Sequence, residues 1–524
     1  MTKNKWAPIR PLMHTDAYKL VHKKMWPTGT DGVLSNYTNR GSRVPGVDHV
    51  VHFGLQAFLQ TWAMDAWRPF FDAEEDVVAN LYEEFLLAVL GPNDIGSDHI
   101  RELHQARHLP LVFRAVPEGT LVPMRVPSFT IENTDPRFAW LVNYVETAIS
   151  SSYWHASTSA TTAYHLRTLF DEWALKTTGS TAGVEWQGHD FSFRGQTSIE
   201  TAAASAAGHL LSFMGSDGLG AMDFIEDNYY GATNGQLLGS VPATEHSVMT
   251  AGGGDPAQED ATYARLINEF PSGILAMVSD TYNLWRVVTE TLPKLKDQIM
   301  ARDGKVVIRP DSGDPVDILT GVASRPEYQF NNSDGTRYVH TEKAPQYRGL
   351  IELLWDVFGG TINEQGYKVL DSHIGAIYGD SITYDRAEEI FTRLEAKGFA
   401  STNVVLGVGS YVYQYVTRDT YGSAVKATWV STNGIGRDIF KNPITDSGLK
   451  KSAKGRLAVV RRDDDDLHLI QGEDARKIEN TSGNLLEPIW RNGEFLKYQA
   501  FADVRATLQK ESLRAKARKS LLTV

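Results

Sequence analysis

Four apolar, β-rich runs in this sequence end in residues that carry chemistry. Val306-Val307-Ile308 leads into Arg309-Pro310-Asp311-Ser312-Gly313, and Ile274-Leu275-Ala276-Met277-Val278 into Ser279-Asp280. Ile374-Gly375-Ala376-Ile377-Tyr378 leads into Gly379-Asp380, and Val404-Val405-Leu406 into Gly407-Val408-Gly409-Ser410. Carboxylates such as Asp280, Asp311 and Asp380 suit sugar hydroxyls, a magnesium ion or acid/base work, and the N–H groups of a glycine turn suit phosphate. Taken singly, each stretch is a strand end with a solvated charge, or an aspartate that caps the next helix; on this reading at least one of the three is such a cap. The recurrence argues for a site.

The same recurrence sets the fold. Asp280 to Asp311 spans 31 residues and Asp380 to Gly409 spans 29, about one strand–helix unit each. Residues 281–300 place Leu284, Val287, Val288 and Leu292 on one helical face, and residues 381–397 do the same with Ile390, Phe391 and Leu394. Repeated strand, acid and helix predict an α/β protein, either a β/α barrel or a doubly wound sheet, with its carboxylates gathered at the carboxyl ends of the strands. An insertion at 322–345 stretches the Asp311–Asp380 interval to 69 residues and carries a hairpin signal around Asn331-Asn332-Ser333-Asp334-Gly335.

Length and charge bound the function. The 524 residues suffice for two domains, and 42% apolar with 22% charged residues is ordinary for a globular enzyme. No apolar run approaches the ~20 residues that cross a bilayer, and no apolar segment follows the first lysines, so the expected location is cytoplasmic, away from membranes. The chain has no cysteine, which removes disulfides, thiolate metal sites and thiol nucleophiles. A net charge of −12 argues against nucleic acid as partner and requires that cations for any polyanionic ligand be concentrated locally.

The flanks read as mixed α and β. Residues 15–22 start a helix with Thr15 or Asp16 as cap, and 33–38 form a strand leading to Arg40. Helices are expected at 54–67, 74–90 and 151–176, and residues 111–116 and 120–126 look like a strand pair. Phe191 and Phe193 read as alternate residues of one strand. The small-residue helix 202–211 is suited to close packing on a sheet, and Gly252-Gly253-Gly254 reads as a flexible connection. Asp217 is a candidate cap for the following helix; Glu245-His246 is a candidate proton shuttle or phosphate contact, or a satisfied loop histidine, with Glu245 a neighbour able to orient His246. Towards the carboxyl end, 457–460 and 467–470 flank a hairpin tip of four aspartates, Asn492-Gly493 marks a second hairpin, and 502–521 reads as a solvated helix.

Several longer motifs resemble the nicotinamide phosphoribosyltransferase family. These are His189-Asp190-Phe191 with Phe193-Arg194-Gly195, Ser240-Val241-Pro242-Ala243 with Glu245-His246-Ser247, Val278-Ser279-Asp280, Ile308-Arg309-Pro310-Asp311-Ser312-Gly313 and Gly379-Asp380. Thr15-Asp16 with Tyr18-Lys19, Glu132-Asn133-Thr134-Asp135-Pro136 and Lys454-Gly455-Arg456-Leu457 complete the set, so the resemblance runs from about residue 13 to 500. The chain departs at the 322–345 insertion, at Gly407-Val408-Gly409-Ser410-Tyr411 where the family has Gly-Ser-Gly-Gly-Gly, and at Ala424 where the family has serine.

The resemblance implies an irregular β/α barrel at 179–415 beside an α/β sandwich built from both chain ends, 1–178 with 416–500, and a helical tail at 501–524. It implies a pentosyltransferase that joins nicotinamide to phosphoribosyl pyrophosphate, giving nicotinamide mononucleotide and pyrophosphate in NAD salvage. The alternatives are a nicotinate phosphoribosyltransferase and an idle nucleotide-binding protein of the same fold. By resemblance, Phe191 and Tyr18 of a second subunit sandwich the pyridine, Asp217 accepts from the carboxamide, and Arg309 and Asp311, with Asp280 nearby, hold phosphate and ribose. Gly379 and Asp380 contact the nucleotide, with Gly409 and Ser410 in the phosphate loop, and Arg194, Arg418, Arg40, Lys426 and Lys441 supply positive charge. The implied assembly is a homodimer with shared active sites. Magnesium travels on the pyrophosphate, and ATP is an optional coupling cofactor that phosphorylates His246.

Overall fold

The computed structural model describes residues 4–230, 236–322, 329–331, 337–339, 344–445 and 451–522. A parallel sheet runs in the order Gly215–Ser216, Gly188–Asp190, Val404–Val408, Ile374–Tyr378, Asp303–Arg309, Ser272–Val278. The stretch from Gly239 to Ala243 closes it, bridging Gly215 on one side and Ala276 on the other. The result is a barrel in which each strand lies beside its successor in sequence, irregular because two of its strands have only two or three residues.

The period-two alternation of these strands separates inside from outside. Ala276, Val307 and Ile377, with the partly buried Phe191, Val241 and Val405, form a small cluster of their own, the barrel lumen. Their neighbours Leu275, Met277, Val306, Ile308 and Leu406 belong instead to the large cluster under the helices. The expected helical faces supply that cluster. Leu284, Val287, Val288 and Leu292 are buried along 284–300, as are Ile390, Phe391 and Leu394 on Tyr384–Ala396.

Both chain ends build the second layer, a seven-stranded sheet ordered Ile435–Asp438, Ser423–Thr432, Thr30–Asn39, Pro127–Asn133, Leu111–Ala115, Glu487–Arg491, Glu494–Phe495. Its register places Asn36 opposite Lys426 and Thr38 opposite Ala424. Arg456 ion-pairs with both Glu132 and Glu479, and the Asn133 amide donates to Asp31 O and accepts from Val33 N–H, so two of the family-like motifs latch this sheet. The helix Glu146–Thr178 joins the layers: Ile149 and Tyr153 lie in the core under the large sheet, while Leu166, Leu169 and Phe170 lie in the barrel core.

Several local expectations are corrected. Residues 111–116 and 120–126 do not pair with each other. Leu111–Ala115 pairs with Pro127–Asn133 and Glu487–Arg491, while Leu121–Pro123 pairs with His49–Val51. The small-residue helix Ile199–His209 packs on the long helix, not on a sheet; a Cβ at Gly208 would lie 2.9 Å from Ala156 O and Ala160 N. The terminal helix Phe501–Leu522 is docked, with Phe501, Val504 and Leu508 buried and Arg505 donating to Leu210 O and Leu237 O. Burial lowers the Arg505 guanidinium to about 10. Gly252-Gly253-Gly254 is a close-packed turn between helices His246–Ala251 and Pro256–Glu269; a Cβ at Gly252 would meet Thr262. Within the insertion, Gln329–Asn331 pairs antiparallel with Arg337–Val339, and the expected tip lies outside the described residues.

Candidate active site

The carboxyl ends of the barrel strands bring the sequence candidates together. Asp280 turns back to the next strand: its Oδ2 accepts the Asp311 N–H at 2.8 Å and the Ser312 hydroxyl at 2.6 Å. Its Oδ1 is buried without a hydrogen-bond partner, 3.9 Å from His246 Nε2. Tyr378 donates to Gly313 O at 2.8 Å; burial first, then the charges of Asp280, Asp311, Asp314 and Asp380, push its phenol well above the usual range.

None of the three candidate carboxylates caps a helix. Asn283, Asp314 and Thr383 accept the cap bonds of the helices that follow, which leaves Asp280, Asp311 and Asp380 to the barrel mouth. Two glycines leave the carboxylates room where the strand ends approach: a Cβ on Gly379 would lie 2.5 Å from Asp311 Oδ1 and one on Gly409 2.1 Å from Asp380 Oδ1, so a larger residue would push either carboxylate from its place. Gly409 precedes a single helical turn, Ser410–Tyr413.

Across the mouth, His189 and Asp217 sit on paired strand ends. Asp217 Oδ1 accepts from His189 Nε2 at 3.1 Å and from the Ser240 hydroxyl, while no protein group bonds Oδ2 among the described residues. Burial would raise this carboxyl, but the bonds from His189 and Ser240, with the charge of Arg309, outweigh it and hold the group below the usual range. Asp217 does not cap the next helix, whose first turn starts after Leu219 without a side-chain cap. The Phe191 ring lies against His189, centroids 4.5 Å apart, at the top of the lumen cluster. Phe191 and Phe193, expected as alternate residues of one strand, both lie beyond it: the strand ends at Asp190, Phe191 follows it, and Phe193 enters a helical turn, Phe193–Gly195, and packs toward Gly220.

Arg309 reaches across to donate to Thr244 O at 2.7 Å, and its Nε is buried with no partner among the described residues. Arg194 is exposed and forms no ion pair with a described carboxylate. His246 is half exposed, with Nδ1 3.1 Å from Thr281 Oγ1. Glu245, expected to orient it, instead accepts from Ser247, so Thr281 and Asp280 are the groups that face the imidazole. Among the described residues no cluster of three or more histidines and acids has metal-ligand geometry.

The other candidates lie on the large sheet. Arg40 and Lys426 line a cavity of about 230 Å³ on the strand pair Thr30–Asn39 and Ser423–Thr432. Burial, reinforced by Arg40 and Lys441, lowers the Lys426 ammonium against the pull of Glu146 at 3.6 Å. Tyr18 is 61% exposed on a short helical turn, and its hydroxyl donates to Asp16. Asp16 occupies the cap position but makes no cap bond; it also accepts from Thr147 at 2.7 Å. Arg418 is exposed beside Asp419. Among the described residues no hydrogen bond or ion pair joins this second group to the barrel mouth.

Known proteins carry the same pattern. A model of the nicotinate phosphoribosyltransferase family matches residues 186–483, and one of the nicotinamide phosphoribosyltransferase N-terminal domain matches residues 11–80. A nicotinamide phosphoribosyltransferase of Acinetobacter baylyi is 43% identical over 96% of this chain and 98% of its own length. The chain belongs to the nicotinamide phosphoribosyltransferase family. A second member, from Mycoplasma pneumoniae, is 34% identical over 86% of this chain and 95% of its own. Among solved structures, nicotinate-nucleotide pyrophosphorylase from Pyrococcus furiosus shares the fold at TM-score 0.53 and 15% identity, covering 98% of this chain and 97% of that one. Human nicotinic acid phosphoribosyltransferase does so at 0.51 and 16%, covering 98% and 94%.

Four neighbours of the site carried no assigned role in the sequence: His189, Ser240, Thr244 and Ser312. His189, Ser240 and Ser312 all fall inside family-like motifs, which would have been their signal. Nothing local marks Thr244, whose backbone carbonyl receives Arg309.

Proposed function

We infer that the chain transfers the phosphoribosyl group of phosphoribosyl pyrophosphate to nicotinamide, releasing pyrophosphate. The observation that carries this reading is Asp217, an ionised carboxylate at the barrel mouth with one oxygen free, beside Phe191. An anion in that place accepts from a carboxamide N–H and repels a carboxylate, which favours nicotinamide over nicotinate.

The reaction breaks the bond from ribose C1 to pyrophosphate while the pyridine nitrogen forms a new one, through an oxocarbenium-like state. No protein nucleophile is needed; positioning and charge neutralisation carry the step. Phe191 offers a ring face to the pyridine. Arg309 and Asp311 hold phosphate and ribose, Asp280 fixes the Asp311 turn, and Asp380 with Gly379 contacts the nucleotide. Arg194, Arg40, Lys426, Lys441 and Arg418 neutralise phosphates, with Gly409 and Ser410 at the phosphate turn. Magnesium enters as part of the pyrophosphate substrate.

The active form in this reading is a homodimer with shared sites. Among the described residues no hydrogen bond or ion pair joins Tyr18 and the cations of the large sheet to their own barrel mouth, so a second copy is the economical way to bring them to it. His246 is the residue for ATP coupling: an exposed imidazole close to Asp280 accepts a phosphoryl group without blocking the pyridine site. Product analysis with nicotinamide and with nicotinate, with and without ATP, tests the whole reading. Nicotinamide mononucleotide and pyrophosphate in equal amounts are the expected products. Preferential use of nicotinate assigns the site to the acid substrate instead, and release of pyrophosphate with neither base means that it is idle as a transferase.

A further inference from the structure

The cavity on the large sheet holds more positive charge than the residues assigned so far. Arg125 and Lys451 line it together with Arg40 and Lys426, and no carboxylate is among the described residues of its lining, Glu146 reaching Lys426 at 3.6 Å from outside it. Four cations gathered in a chain of net charge −12 are a local reversal of the protein's field, the arrangement that focuses a polyanion. The volume, about 230 Å³, holds a diphosphate with a metal ion and falls below the ~300–1,000 Å³ of pockets for drug-sized ligands.

Arg125 reaches the cavity from an unusual backbone. The Val126 N–H donates to Pro123 O at 3.1 Å, closing a four-residue turn whose third residue, Arg125, has φ +71°. Glycine is the ordinary occupant of that turn position, because any Cβ is strained there. The turn itself therefore has no need of an arginine, and a non-glycine residue held in this strained backbone points to a role for its side chain. The Arg125 N–H donates to Asn39 O at 2.7 Å, which fixes the turn beside Arg40. The side chain is exposed and makes no ion pair with a described carboxylate, and the same holds for Lys451. Ser452, next to Lys451, exchanges two 2.9 Å bonds with Lys441, so the strand-end cation already assigned is tied to the same wall.

We propose that Arg125 and Lys451 complete a binding site for a magnesium-bound diphosphate group in this cavity. The proposal rests on the phosphoribosyl-transfer reading above, and the group is carried either by phosphoribosyl pyrophosphate or by ATP. Titration calorimetry with magnesium pyrophosphate tests it, using Arg125→Gly, which keeps the turn and removes its strain, and Lys451→Ala. Each is expected to bind pyrophosphate about tenfold more weakly, as loss of one charge-assisted contact implies, while the nicotinamide KM stays at the wild-type value. Arg125→Gly should also unfold no earlier than wild type, so weaker binding is not loss of fold. A matching rise in KM for phosphoribosyl pyrophosphate assigns the diphosphate to that substrate, and a rise confined to the ATP half-saturation assigns it to ATP. Wild-type pyrophosphate affinity in both variants overturns the proposal. Lys426→Ala separates the two levels: weaker binding there alone removes only Arg125 and Lys451, while unchanged binding there as well removes the cavity's assignment to the leaving group.

Discussion

Asp217→Asn isolates the contact on which substrate choice turns. In the wild type, Oδ1 is occupied by His189 and Ser240 and Oδ2 is open, so a carboxamide N–H finds a charged acceptor already oriented. Asparagine keeps the shape, accepts from His189 and Ser240 through its carbonyl, and turns an amide donor toward the ligand's own N–H. The lost charge-assisted bond corresponds to about 1.5–3 kcal/mol, one to two powers of ten in kcat/KM for nicotinamide. For nicotinate the sign reverses. Two carboxylates ~5 Å apart repel by about 1–3 kcal/mol for effective dielectrics between water and a protein surface. The lower end applies to the extent that solvent reaches Asp217, whose side chain is 43% exposed. Asparagine removes that repulsion, so the nicotinamide/nicotinate ratio should narrow by at least tenfold. Steady-state kinetics with both bases gives the answer directly. A folded variant with an unchanged ratio would mean that Asp217 does not face the carboxamide, whatever the absolute rates.

Further outcomes follow from the same geometry. Mixing an inactive Tyr18→Ala chain with an inactive Arg309→Ala chain should restore part of the activity, because one mixed site in the dimer is then intact; no recovery after demonstrated subunit exchange rules out shared sites. His246→Ala should lose ATP hydrolysis and ATP stimulation while slow synthesis of the mononucleotide persists, and undiminished stimulation contradicts the coupling role. Gly379→Ala drives a methyl group against Asp311 Oδ1, 2.5 Å from the ideal Cβ position, so KM for phosphoribosyl pyrophosphate should rise tenfold or more with little change in Tm. Wild-type kinetics in that variant would show that Asp311 has no fixed place in binding.

Much of the barrel was legible because its signals are local. A β-branched run followed by acid and glycine is a property of ten neighbouring residues, and the helical faces at 284–300 and 384–396 repeat every three or four positions. The hairpin at Asn492-Gly493 is equally local: both residues adopt positive φ, which their types favour. The misreadings share one cause. Residues 111–116 and 120–126 have strand character, but 111–115 pairs past its neighbour with 127–133 and with the distant 487–491, and 121–123 pairs with 49–51, so adjacency in sequence supplied a false partner. Helix 199–209 is rich in alanine and carries Gly208, which permits close approach to any surface; only the shape of helix 146–178 decides which.

For the site, the sequence determined the residue types and their order: acids and glycines at strand ends, a histidine after Glu245, and cations at Arg40 and Lys426. Tertiary structure decided what each is free to do. Asn283, Asp314 and Thr383 take the capping bonds, which releases Asp280, Asp311 and Asp380, and this competition depends on backbone geometry one to three residues away. Gly239 to Ala243, unmarked as a strand, closes the barrel and brings Ser240 to Asp217. The division of the charged set between a barrel mouth and a separate sheet is likewise invisible in a linear chain. Propensity is fixed by a residue and its neighbours, whereas a site is fixed by which buried faces fit together, and that fit is settled only when the whole chain has folded.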